Sequence, residues 1–206
     1  IDNLSSGVYV GYLANSVVSG NLIDTTGYGG ILLTADSTGV DVIGNVISNT
    51  RGVGIQVSSG LGDIEVSDNI IANAGNGLNE PDKGGIRIYG AGLTGVVRIS
   101  DNSISGSKNG IGIRDTAKCD LSQIEIYHNS IATSNEVQVY NGCADASILN
   151  VTENWWGSIK GPQAGQITGL VTSDPWCGDA DCSFTVSNTP PSEGQSGFYI
   201  DSQGQL

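Results

Sequence analysis

The sequence predicts an all-β chain: a right-handed parallel β-helix (solenoid) of about six to seven rungs. Two recurrences carry that expectation, a phrase ending near Asn and a phrase opening on Gly, interleaved along the chain with one period. Composition agrees. Gly is abundant at 31 residues, aromatics make up only 6%, and Ile and Val fill most apolar positions. That mix favours strands and tight turns.

The Asn phrase is an alternating apolar strand, then Asn, then two residues with Ile usually second. It reads Val-Val-Ser-Gly-Asn21-Leu-Ile23, Val-Ile-Gly-Asn45-Val-Ile47 and Val-Ser-Asp-Asn69-Ile-Ile71. It continues as Ile-Ser-Asp-Asn102-Ser-Ile104, Ile-Tyr-His-Asn129-Ser-Ile131 and Val-Thr-Glu-Asn154-Trp-Trp156, at spacings of 24, 24, 33, 27 and 25 residues. The Gly phrase reads Gly7-Val-Tyr-Val10, Gly30-Ile-Leu-Leu33, Gly54-Ile-Gln-Val57, Gly85-Ile-Arg-Ile88 and Gly110-Ile-Gly-Ile113, with Glu136-Val-Gln-Val139 aligned as a last copy.

A single turn of this length cannot bury its apolar face, but stacked turns pair each backbone with the rungs above and below. Inward columns are then Val18, Val42, Val66, Ile99, Ile126 and Val151, and Ile23, Ile47, Ile71, Ile104 and Ile131. The Asn column suits a bend, because Asn tolerates left-handed angles and stacked amides can bond as a ladder. Leucine-rich repeats share the period but not this Ile- and Val-dominated pattern.

The repeat breaks in three places. Asn69 to Gly85 is 16 residues where earlier rungs need 9, so about seven extra residues lie within 76–83. Ile1-Asp2-Asn3 reads as the end of a preceding rung, and we expect an upstream domain of the same chain, or another chain, to cover that edge. After Asn154, Trp155-Trp156-Gly157, Gly161-Pro162 and Pro175-Trp176 read as an end cap closing the apolar column. The expected division is a capped β-helix over 1–183 and a linker or docking tail over 184–206, with Thr189–Ser196 as linker and Phe198–Ile200 as a strand docking back or the start of a next module.

Net charge is −13, from 8 basic and 21 acidic residues, which opposes nucleic acid and anionic membranes. No stretch is apolar enough to span a membrane. Cys119 and Cys143 are 24 residues apart, one rung, and Cys177 and Cys182 close a short loop. Two disulfides are expected, and with them an extracellular or cell-surface setting. A zinc site is the rival reading, without the close Cys pairs it usually has.

Asn154-Trp155-Trp156-Gly157, Gly161-Pro162 and Pro175-Trp176 resemble the terminal segment of secreted right-handed parallel β-helix repeat proteins. The preceding rungs look like repeats of the pectate-lyase-like superfamily, over about residues 1–183. The resemblance implies the fold. It leaves function open among polysaccharide lyases, glycoside hydrolases, epimerases, tailspikes and non-enzymatic surface proteins.

No catalytic signature of that superfamily is present. Asp101 beside His128 is a candidate acid–base pair, with a solvated turn as the plainer reading. Glu65, Arg98 and Glu125 form an outward column that reads as a surface ion ladder. Lys83, Arg87, Tyr89, Arg114 and Tyr140 fall together on outward positions beside the insertion, where Tyr can stack on sugars and Arg can clamp carboxylates. We expect this face to contact a polysaccharide or glycan. Asp174, Asp179 and Asp181 are a candidate Ca²⁺ cluster. The expectation is a non-catalytic, carbohydrate-binding or structural domain of a larger secreted or surface protein. The alternative is a fragment of a polysaccharide lyase or glycoside hydrolase.

Overall fold

A computed structural model describes residues 5–206 apart from 35, 59, 78–79, 90–91, 117–118, 133–135, 145–146, 191–196 and 202. The expected rung end at Ile1–Asn3 lies outside the described residues, as do positions 191–196 of the expected linker. The chain winds about six turns of a β-solenoid whose strands pair in parallel on three faces. The long face stacks Val8–Gly11, Gly29–Thr34, Val53–Val57, Ile86–Ile88, Asn109–Thr116, Val137–Cys143 and Ile167–Thr168. The middle face stacks Ala14–Ser19, Thr38–Ile43, Gly62–Ser67, Val97–Ser100 and Ile124–Tyr127. The short face stacks Leu22–Asp24, Val46–Ser48, Ile70–Ala72, Ser103–Ser105 and Ser130–Ile131.

Both inward columns form in register. Val18 pairs with Val42, Val66, Ile99 and Ile126 in succession, and Ile23 with Ile47, Ile71, Ile104 and Ile131. The second column explains the glycines that open the long-face strands. A Cβ on Gly30, Gly54 or Gly85 would lie 2.5 Å from the Cγ2 of Ile47, Ile71 or Ile104. No flexible side chain can yield there, because a stacked isoleucine and a backbone carbonyl crowd each site.

Asn45, Asn69, Asn102, Asn129 and Asn154 are each buried and form a continuous ladder with Asn21. Each Asn Oδ1 accepts both the backbone N–H and the side-chain amide of the Asn one rung earlier; from Asn69 to Asn102 these are 3.0 and 2.9 Å. The same side-chain amide donates to two carbonyls, Val42 and Ser67 in the case of Asn69. The left-handed backbone belongs to the preceding residue and not to Asn itself. It is adopted by Gly20, Gly44, Asp68, Asp101, His128 and Glu153, with φ between 55° and 65°. A Cβ on Gly20 or Gly44 meets nothing within 4 Å, so side chains fit at this position and only the φ disfavours them.

One rung departs from the sequence alignment. Val139 pairs with Ile111 and Tyr140 with Gly112, so the sixth long-face strand sits two residues from the expected register. A shift of two keeps every residue on its own side of the sheet, so the apolar pattern cannot detect it. Gln138 therefore takes the place of the strand-opening Gly. Beneath it the isoleucine column has ended, and Gln138 donates to the Trp156 carbonyl at 3.1 Å.

In the segment read as a cap, Trp156 and Trp176 are both buried, 1% exposed. Gly161, at φ +71°, lies flat against the Trp176 ring, and the Trp176 indole donates to the Ile159 carbonyl. Both disulfides form, Cys119–Cys143 and Cys177–Cys182. Beyond the cap, Thr185–Ser187 pairs antiparallel with Trp176–Cys177 and parallel with Phe198–Tyr199. Val186 and Ile200 from this last segment join the buried core. Among the described residues, no helix is long and apolar enough to cross a membrane.

The ladder makes a graded prediction. Asn69→Ala strips partners from both neighbouring rungs and should cost about 3 kcal/mol or more, at 1–3 kcal/mol per buried group left unpaired. Asn21→Ala, at the half-exposed end, should cost roughly 1 kcal/mol. Urea unfolding of the two variants should show that order; equal losses would remove the ladder from its structural role.

Candidate functional site

The insertion carries most of the unusual chemistry. Its described residues lie against the long face and touch several rungs. Arg51 packs on Gly77, the Asn109 side-chain amide donates to the carbonyls of Pro81 and Lys83, and the Asp82 carbonyl lies against Gly112. Gly112 is the position where the stacked column has Arg87 on one side and Tyr140 on the other, so its missing side chain makes room for the loop.

Lys83 and Arg87 are not on open surface. Their side chains are 4% and 2% exposed, covered by acids of the same loop. Arg87 binds Asp82 at 2.7 Å and Glu80 at 3.0 Å, and Lys83 binds the other Glu80 oxygen at 2.9 Å. Lys83 also lies 5.3 Å from the centre of the Tyr28 ring. The Lys83 hydrogen bond, followed by the charges of Lys83 and Arg87, holds Glu80 below the ordinary carboxylate value of 4.5 against the opposing effect of burial. Glu80 and Asp82 were not among the residues singled out from sequence. Their signal was position alone: acids inside the same insertion as Lys83.

The neighbouring cation is different. Arg114 and Tyr89 are both half-buried, with the guanidinium 4.7 Å from the ring centre and hydrogen-bonded to the phenol oxygen at 2.5 Å. Arg87 lies 5.0 Å from the same ring centre. Among the described residues no carboxylate pairs with Arg114. Tyr140, also half-buried, stands one rung on from Gly112. The five expected residues thus share one face and divide into a neutralised pair, Lys83 and Arg87, and a half-buried group, Tyr89, Arg114 and Tyr140, whose guanidinium has no carboxylate among the described residues.

Asp101 and His128 are also brought together. His128 lies 3.9 Å from Asp101 and 3.5 Å from Glu153, all about half exposed; His128 and Asp101 line a cavity of about 390 Å³ with Asp181 of the disulfide loop. These three residues share the left-handed bend position of successive rungs. That position accounts for their stacking and exposure without assigning them a reaction. On the middle face, Arg98 and Glu125 pair at 2.8 Å in the expected outward column, both 45% exposed, a geometry of little energetic weight.

The expected Ca²⁺ cluster does not assemble. Asp179 is committed to Ser183, whose hydroxyl and backbone N–H bonds pull its pKa below the usual 3.8. Asp181 faces the His128 cavity, and Asp174 accepts from the Asn188 backbone. Among the described residues no three of His, Cys, Asp and Glu are grouped so as to hold a metal ion.

The Glu80 geometry predicts an acid-sensitive component of stability. A carboxylate whose folded pKa is depressed stabilises the fold above its unfolded pKa and loses that contribution as pH falls through the folded value. The stability difference between wild type and Glu80→Gln should therefore be constant near neutrality and shrink below pH 4.5. Thermal melts from pH 7 to pH 3 check it; a pH-independent difference would mean that the charge of Glu80 contributes nothing.

No curated protein and no solved structure matches this chain. Residues 1–161 match a family model described as periplasmic copper-binding protein (NosD), and the chain, with its parallel β-solenoid, belongs to the NosD family.

Proposed function

We propose that this chain is a non-catalytic β-helix domain acting outside the cytoplasm, and that it binds a carboxylate-bearing glycan on the long face through Tyr89, Arg114 and Tyr140. The observation that carries the reading is Arg114: a half-buried guanidinium, stacked on a tyrosine, with no carboxylate partner among the described residues of a protein of net charge −13. Such a group offers a planar fork to a carboxylate beside an aromatic ring suited to a sugar face. Elsewhere the acidic surface opposes anionic partners. Arg51, Lys83, Arg87, Lys108 and Arg114, out of 8 basic residues, all lie on or beside this face. The periplasmic location in the family description and the two disulfides both support an oxidising compartment.

Copper enters through the family description alone. The donors of this chain do not fit it. The sequence has no Met and one His, and all four Cys are paired in disulfides. Thiolate and thioether donors are absent and a single imidazole is present, so neither a soft sulfur site nor a multi-imidazole copper site can be assembled from this chain.

Titration calorimetry with oligogalacturonate, against a neutral oligosaccharide of equal length, tests the proposal. Wild type should bind the uronate alone, and Arg114→Ala should weaken it about tenfold or more, the loss of one charge-assisted pair. Equal binding by Arg114→Ala, or no uronate binding, overturns the reading. Unsaturated products on incubation would make the domain a lyase instead.

A further inference from the structure

We propose that Lys83 and Arg87 form a second carboxylate site on the same face, and that the side chain of Glu80 occupies it as a built-in ligand. The inference rests on the glycan reading for the identity of the outside ligand but not for the existence of the site. Its basis is an inversion of exposure. The two cations are buried at 4% and 2%, while the carboxylate that joins them is 51% exposed. Each Glu80 oxygen takes one cation, Oε1 from Lys83 at 2.9 Å and Oε2 from Arg87 at 3.0 Å. That is the way a bound carboxylate would bridge an ammonium and a guanidinium.

The rest of the site holds without Glu80. Asp82, 4% exposed, keeps Arg87 aligned, and the Tyr89 ring lies 5.0 Å from the guanidinium carbon. Asn109 anchors the loop backbone through Pro81 and Lys83. Lys83 is left with the Tyr28 ring, since Glu80 is its only carboxylate among the described residues. Rotation of one half-exposed side chain therefore uncovers a fixed cationic pair. A buried ammonium without a counter-ion is costly, so any carboxylate of the right size should enter as Glu80 leaves. Tyr89 lies against both Arg87 and Arg114, which makes the two sites neighbours along one polymer with repeated carboxylates.

Glu80→Ala, with Glu80→Gln as the variant that keeps the side-chain volume, tests this by chemical rescue. Sodium acetate or formate should raise the Tm of either variant saturably, by several degrees, while sodium chloride at equal ionic strength should not, and wild type should respond to neither. Acetate acting no better than chloride, or acting equally on wild type, overturns the site. Oligogalacturonate should bind Glu80→Ala about tenfold more tightly than wild type, because the resident competitor is gone. Rescue by acetate without uronate binding keeps the site and removes the glycan reading. Uronate binding that needs Arg114 but is unchanged in Glu80→Ala, with no acetate rescue, does the reverse.

Discussion

The asparagine column is the constraint on which the coils depend. At each bend between the middle and short faces the strand pairing stops, and from Asn45 to Asn154 the bend is buried. An unpaired group in that place costs as much as a lost hydrogen bond. Each Asn supplies an acceptor to the rung before it and donors to nearby carbonyls, so it satisfies three segments at once. Because the ladder works only when the amides stack, it fixes the register of the strands on either side. What lies between successive ladder positions is free to vary, and it does, from 24 to 33 residues.

The same constraint explains what the sequence made legible. The Asn, Val and Ile columns could be read from spacing because each copy must repeat a residue type to stack on its neighbour. The strand-opening glycines were equally visible, and their cause is now clear: each faces an isoleucine of the short face. Legibility failed where repetition stopped. In the long-face strand at Val137–Cys143 the opening Gly is replaced, and a two-residue shift leaves the inside and outside pattern intact. The bend residue was misassigned by one position, since Asn and its predecessor are both compatible with a left-handed turn. Asp101 and His128, the candidate acid–base pair, share with Asp68 and Glu153 the left-handed backbone of that position, in line with the plainer reading of a solvated turn.

The candidate site was legible only by location. The insertion and the outward Arg and Tyr positions were visible in sequence, but spacing cannot say which charges neutralise one another across a folded loop. Glu80 and Asp82 sit three and one residues before Lys83, and they turn two of the three expected cations into buried pairs. The Asp174, Asp179 and Asp181 expectation failed for a related reason. Proximity in sequence in and just before a disulfide loop did not make the carboxylates converge, because Ser183 bonds Asp179 and the Asn188 backbone bonds Asp174.

A solenoid whose conspicuous residues all serve stacking has little capacity for function within its rungs. Function has to enter where the repeat can be altered without breaking the ladder, which means the outer surface and the inter-rung loops. The insertion meets that condition, since the two Asn residues that bracket it, Asn69 and Asn102, still bond directly at 2.9 Å. Gly112 meets it as well: a side chain there would strike the loop backbone, so the strand surface and the insertion have complementary shapes. A neutral surface bulge would need neither that fit nor two buried cations held by its own acids. The fit of the altered strand to insertion residues 80–83, beside an arginine without a carboxylate partner among the described residues, is what separates this face from the other two.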